Sequence, residues 1–180
     1  TKKYDLTEDY PIIGGISRHI HWKGIQYVIP AFRELLKTYP NAKLVLANAL
    51  GNYKPQILEL LKEIDKSRYC LIEFEREIFE LYKSFDVFVH VPIGKDYEAF
   101  GQVYIESLAM GIPSVFTLSG IANDFIKDKS NALVVPFENS EAITKAIRHI
   151  VENDELRKNL IENGIFDISE TFSAKRMVDE

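Results

Sequence analysis

Three observations predict an α/β chain built on a doubly wound, Rossmann-like parallel sheet of about six strands with helices on both faces. Short β-rich runs alternate with helical patterns from end to end, as in sheets covered on both sides. Two apolar stripes recur at helical spacing. No internal repeat, low-complexity tract or linker divides the 180 residues, which is the size of one ordinary domain. The strands are expected at residues 12–16, 44–47, 71–74, 87–91, 114–118 and 133–135. After the first strand, Ile25, Val28, Ile29, Phe32, Leu35 and Leu36 share one helical face. Pro30 falls inside that stripe and is expected to kink its opening turns or delay its start. Ala142, Ile143, Ala146, Ile147, Ile150 and Val151 form the second stripe. A further short helix should follow, with Asp154 as its N-cap and Gly164 as its stop.

Composition removes several function classes. The formal net charge of -5 and a pI near 5.5 argue against a non-specific nucleic-acid binder, because such a surface repels phosphate. The single cysteine, Cys70, has no internal disulfide partner, and its place in the apolar run CLIEF suggests a buried structural thiol in a reducing compartment, by default the cytoplasm. No apolar run approaches the roughly 20 residues that span a bilayer, and the N-terminus does not resemble a signal peptide. The chain starts at Thr1 and stops at Glu180 within the helical pattern FSAKRMVDE, so it is expected to be a fragment of a longer protein.

In a doubly wound sheet, ligands sit outside the carboxyl ends of the strands, so the loops there are where chemistry is sought. SRHIHWKG follows the first strand and carries Arg18 and Lys23 to the start of a helix. A guanidinium, an ammonium and free helix amides suit a diphosphate, although the pair taken alone is better explained as two solvated surface cations. HVPIGKDYEAFGQVYIE follows the fourth strand. In it, Glu98 precedes the turn Phe100-Gly101, where Gly101 lets backbone approach a ligand and the amides of Phe100, Gly101 and Gln102 are unpaired helix-start donors. SGIANDF follows the fifth strand, with Gly120 in a tight turn and Asp124 as the expected cap of the next helix.

Glu106 is the only charged residue between Ala99 and Asn123. Its apolar flanks, Val103, Tyr104, Ile105, Leu108, Ala109 and Met110, imply a helix buried over most of its girth. A carboxylate there must find donors or lose its charge. Glu98 at the helix entrance and Glu106 about two turns in therefore suggest a ligand rich in hydroxyls.

The segments SRHIHWKGIQYVIPAFRELLKTYPNAKLVLAN, ELYKSFDVFVHVP, EAFGQVYIESLAMGIPSV and NALVVPFENSEAITKAIRHIVENDELRKNL resemble, in order, the C-terminal donor-binding domain of retaining glycosyltransferases of family 4, which have the GT-B fold. The most specific piece is Glu98 to Glu106, which looks like that family's pair of glutamates with seven residues between them. The resemblance implies that residues 1–180 are a single nucleotide-sugar-binding domain, the C-terminal part of a two-domain enzyme. It implies metal-independent, retaining transfer of a hexose-type sugar from a nucleoside diphosphate donor, with no cofactor. The acceptor, a glycan, a lipid-linked sugar or a small molecule, would be bound by an N-terminal domain outside this chain. The full-length protein would be cytoplasmic or peripheral at the inner membrane face. Carried over by position, Arg18 and Lys23 would bind the diphosphate and support catalysis, Glu98 would contact the sugar hydroxyls, and Glu106 would accept from the ribose. The amides of Phe100, Gly101 and Gln102 would serve sugar and phosphate. Departures from the family pattern occur at Ser17, at residues 48–52, at Ala132 after Asn131, and at SGIAND, where a double glycine and a Glu are usual.

Other residues are read as follows. His19, His21 and His149 look like ordinary polar positions, while His90 either reaches the pocket or is a satisfied half-buried imidazole. Asp96 and Glu98 superficially suggest an acidic metal pair, but no further carboxylate or His cluster supports a cation there. Tyr97 and Phe100 are expected to wall the pocket; the resemblance would put backbone contacts to the base after the third strand, around Phe74, where CLIEFERE matches too loosely to assign them. The first strand ends GGISRH and lacks the Gly-x-Gly-x-x-Gly turn, which disfavours NAD. A nucleotide-sugar epimerase of the same fold and a non-catalytic sugar-nucleotide-binding module remain open at this point.

Overall fold

Period-two alternation within the strands sends apolar side chains to both faces of one sheet. In the computed structural model, which describes residue 6 and residues 8–172, the elements run β1 (Ile12–Ile16), α1 (Ile25–Leu36), β2 (Lys43–Ala47), α2 (Lys54–Leu61), β3 (Tyr69–Ile72), α3 (Ile78–Tyr82), β4 (Val87–His90), α4 (Gln102–Ala109), β5 (Ser114–Phe116), α5 (Ala122–Phe125), β6 (Leu133–Val134), α6 (Ser140–Glu152) and α7 (Asp154–Thr171). Every strand pairing is parallel, in the order β3-β2-β1-β4-β5-β6. Ile13, Leu44, Leu46, Val87, Val89 and Val115 pack under α1, α2 and α6. Ile12, Val45, Ala47, Phe88 and Phe116 pack on the other face, against α3, α4 and α5. The doubly wound reading is thus the observed architecture.

Local punctuation was a poorer guide than the stripes. Pro30 lies inside α1 and does not delay it, because its missing amide forfeits one helical bond while Val28, Ile29, Phe32 and Leu35 still bury the same face. Asn153 caps α7, its side chain accepting from the Leu156 amide at 2.9 Å, so Asp154 is the first helical residue. Gly164 does not stop that helix but lies buried in it. A Cβ at this position would sit 3.1 Å from Leu108 Cδ2, so the glycine serves close approach of α7 to α4. Asp124 caps nothing: it is inside α5, whose N-cap is Ile121. β3 ends at Ile72, two residues before the expected limit, and Phe74 is 69 % exposed. Cys70 is half-buried, because β3 is an edge strand, and burial pushes its thiol pKa up. The helical reading of FSAKRMVDE falls, beyond Phe172, outside the described residues. Among the described residues no helix is long and apolar enough to cross a membrane.

Candidate functional site

Strand order reverses at β1, which lies between β2 and β4. From β1 the chain passes to α1 on one face of the sheet, and from β4 to α4 on the other, so the two loops part and leave a crevice at the strand ends. Glycine brings the walls together. Gly24, at φ 76°, begins α1, and a Cβ there would lie 1.8 Å from the Val91 carbonyl oxygen. Next to it, the Ile93 amide donates to the Trp22 carbonyl at 3.1 Å. These contacts hold the short 3-10 turn His21–Lys23 beside the β4–α4 loop.

That loop is fixed from its other side by SGIAND. The amides of Tyr97 and Glu98 donate to the Ser119 hydroxyl at 3.2 and 3.0 Å, and Ser119 is fully buried. The Gly120 amide donates to the Lys95 carbonyl at 2.7 Å. Gly120 has φ 57°, and a Cβ on it would meet the Glu98 carbonyl oxygen at 1.8 Å. A serine hydroxyl and one glycine therefore hold Glu98 in place in the very segment that departs most from the family pattern.

Three charged or polar groups converge there, Lys23 from 75 residues before Glu98. Lys23 Nζ forms an ion pair with Glu98 Oε1, and His90 Nε2 lies 2.8 Å from the same oxygen. The Glu98 side chain is only 9 % exposed. Burial works against its charge, but the hydrogen bonds from His90 and Lys23, with the Lys23 charge, outweigh that and hold its carboxyl well below the usual carboxylate range. His90 is 3 % exposed, and burial pushes its pKa down against the pull of Glu98. Its ring stands edge-on to Tyr104 at 4.9 Å, and the Tyr104 hydroxyl donates to the Thr117 carbonyl at 2.8 Å. His90 is thus fully buried and bonded to the site, one of the two readings left open for it. A polar residue closing the apolar strand VFVH was the only signal for it.

Arg18 is exposed on the same loop as Lys23 and makes no ion pair among the described residues. Gly101, at φ 57°, is the N-cap of α4. The amides of Phe100, Gly101 and Gln102 reach no acceptor outside the helix among the described residues, as expected at a helix start. Phe100 and Gln102 are exposed. Tyr97, 49 % exposed, stacks on Trp22 with ring centres 6.4 Å apart.

Glu106 is the fifth residue of α4, a little over one turn in rather than two, because the helix starts only at Gln102. It is half-buried and not enclosed, since the fully buried positions of α4 are Tyr104, Ser107 and Leu108. Glu106 Oε2 accepts from the Tyr82 hydroxyl at 2.9 Å. This partner comes from α3, 24 residues away, and no local pattern announced it. Asp96 is exposed, and among the described residues no group of three or more His, Cys, Asp or Glu could hold a metal ion.

His19 is not an ordinary polar position. It is fully buried, and neither ring nitrogen has a hydrogen-bond partner. Burial, with a further contribution from the Lys54 charge, lowers its pKa to about 4. The loop at residues 48–53 closes over it: its amide donates to the Leu50 carbonyl at 2.8 Å, its carbonyl accepts from the Tyr53 amide at 2.9 Å, and a Cβ on Gly51 would lie 2.2 Å from that carbonyl.

Comparison with known proteins places this crevice in a family context. The lipopolysaccharide core biosynthesis glycosyltransferase LpsE of Rhizobium meliloti is 28% identical over 178 residues, covering 98% of this chain and 50% of LpsE. The structure of HepE from Anabaena in complex with UDP-glucose superposes with a TM-score of 0.88 at 19% identity, over 99% of this chain and 49% of HepE. The C-terminal domain of the glycosyl transferase group 1 family protein LpcC from Francisella tularensis matches with a TM-score of 0.77 at 24% identity, over 94% of this chain and 89% of that domain. The chain spans about half the length of the curated relatives it matches. The family model described as glycosyl transferases group 1 matches residues 1–165, and the chain accordingly belongs to that family.

Proposed function

We propose that this chain binds the nucleotide-sugar donor of a retaining glycosyltransferase and that it forms one domain of a two-domain enzyme. The observation that carries the reading is the meeting of Lys23, Glu98 and His90 at the strand-order reversal, where an open α/β sheet binds ligands. HepE, with the same fold, was crystallised with UDP and with UDP-glucose, which supports a donor of that kind. Arg18 and Lys23 take the diphosphate, Arg18 by paired hydrogen bonds and Lys23 as a point charge. The amides at the start of α4 add donors. Glu98 accepts from hydroxyls of the transferred sugar and Glu106 from the ribose, two hydroxyl-rich groups that suit ionised carboxylates.

In the reaction, the bond from the anomeric carbon to the diphosphate oxygen breaks, and its electron pair leaves with the nucleoside diphosphate. The acceptor hydroxyl attacks on the same face, and its proton passes to the leaving diphosphate. Cations and amides placed at the departing oxygens stabilise the charge that develops there, so no metal or cofactor is required. Transfer needs an acceptor, which the other domain supplies. A thermal-shift screen of nucleoside diphosphate sugars tests this reading, because a ligand that binds only the folded state raises the melting temperature. At least one donor should raise it, and by more than the matching nucleoside does. Absence of any shift at millimolar donor contradicts the reading.

A further inference from the structure

His90 has no role in the donor contacts assigned above, yet it is buried at the end of β4 with its ring packed on Tyr104. A buried imidazole is costly unless its polar atoms are bonded, and the partner of Nε2 is Glu98 Oε1. Lys23 meets that same oxygen. No hydrogen bond among the described residues reaches Glu98 Oε2. The two partners restrain the carboxylate differently. A lysine ammonium is a point charge on a flexible stem and fixes little more than distance. His90 is a planar donor held by a packed core.

We propose that His90 is a positioning residue for Glu98, fixing the carboxylate through Oε1 so that Oε2 is presented to a hydroxyl of the transferred sugar. The inference rests on the nucleotide-sugar reading given above. Its consequence is that Lys23 is free to turn to a donor phosphate without leaving Glu98 unsatisfied, because His90 Nε2–H stays in place. A neutral ring suffices for this, and burial favours that form.

Two measurements test it. Long-range 1H–15N correlation spectra of the wild-type chain should show His90 neutral at pH 7 with the proton on Nε2. A proton on Nδ1 would leave Nε2 unable to donate and would overturn the inference. In the intact enzyme, His90→Leu should lower kcat by about tenfold or more, with donor KM and nucleoside diphosphate Kd within about threefold of wild type, because the lost interaction matters as the sugar separates. His90→Gln restores an N–H donor of similar reach and should recover kcat to within about threefold. Equal losses in both variants, or an unchanged kcat in His90→Leu, overturn the proposal. Failure of the wild-type protein to bind any nucleoside diphosphate overturns the donor reading and the role of Oε2 with it. Normal nucleotide binding with the wrong tautomer overturns the inference alone.

Discussion

Replacing His19 by Leu should stabilise the protein, and by more in acid than at neutral pH. The imidazole is fully enclosed and both nitrogens lack partners, a situation that costs about 1–3 kcal/mol per unsatisfied group. Leucine fills similar space without that cost, so a gain of about 1 kcal/mol is expected at pH 7 after some is lost to imperfect packing. The pH dependence follows from the depressed pKa. Above 6.5 the ring is neutral in both folded and unfolded chains, and this site adds no pH dependence to stability. Between 6.5 and about 4 the unfolded chain binds a proton that the folded chain refuses, so stability falls by up to about 1.4 kcal/mol per pH unit. Below about 4 the ring protonates in both states and its slope ends. Between pH 7 and pH 4.5 the accumulated loss is about 2 kcal/mol, and His19→Leu abolishes it. Urea unfolding of both proteins at the two pH values measures the difference directly. A stability difference that is the same at both, or a variant less stable than wild type in acid, refutes the argument.

Gly120→Ala should destabilise the fold by about 2 kcal/mol or more and displace the Glu98 loop, since its Cβ would lie 1.8 Å from the Glu98 carbonyl at a positive φ; denaturant unfolding and transfer rate report the two effects. Glu106→Gln should weaken binding of nucleotide and nucleotide-sugar alike by about 1 kcal/mol or more, whereas Glu98→Gln in the intact enzyme should lower turnover more than nucleotide affinity; calorimetry beside rate measurements separates them. Excess chelator should leave nucleoside diphosphate affinity unchanged, because side-chain cations and amides are assigned the charge; a loss of affinity restored by magnesium or manganese would show otherwise.

The fold was legible because burial on both faces leaves a long-range pattern that local exceptions do not erase. The stripe in α1 survived Pro30, and the stripe in α6 marked its helix closely. Residues read by local punctuation fared worse. Gly164 has the look of a stop, yet its meaning lies in Leu108 on another helix. The run CLIEF, interrupted by Glu73, returns to an apolar residue at Phe74, yet β2, the neighbour of β3, ends at Ala47, opposite Ile72, so the strand ends where its pairing ends. At the site, Lys23 and Glu98 were readable as candidates because each sits in a strand-end loop, and the structure joins them. Arg18 stands on the same loop, exposed. Partners across the chain were not readable: Tyr82 for Glu106, Ser119 for the Glu98 amide, and the closure of residues 48–53 over His19 each depend on which loops the sheet order brings together.

The central claim, that Arg18 and Lys23 hold a donor diphosphate, is tested most directly by calorimetric titration of the wild-type, Arg18→Ala and Lys23→Ala proteins with a nucleoside diphosphate and with its parent nucleoside. Each substitution should weaken diphosphate binding by about 1.5–3 kcal/mol, roughly 10- to 150-fold, the scale of a charge-assisted hydrogen bond, while the nucleoside binds all three proteins alike. Unchanged diphosphate affinity in both variants, or an equal loss for the nucleoside, would contradict the assignment.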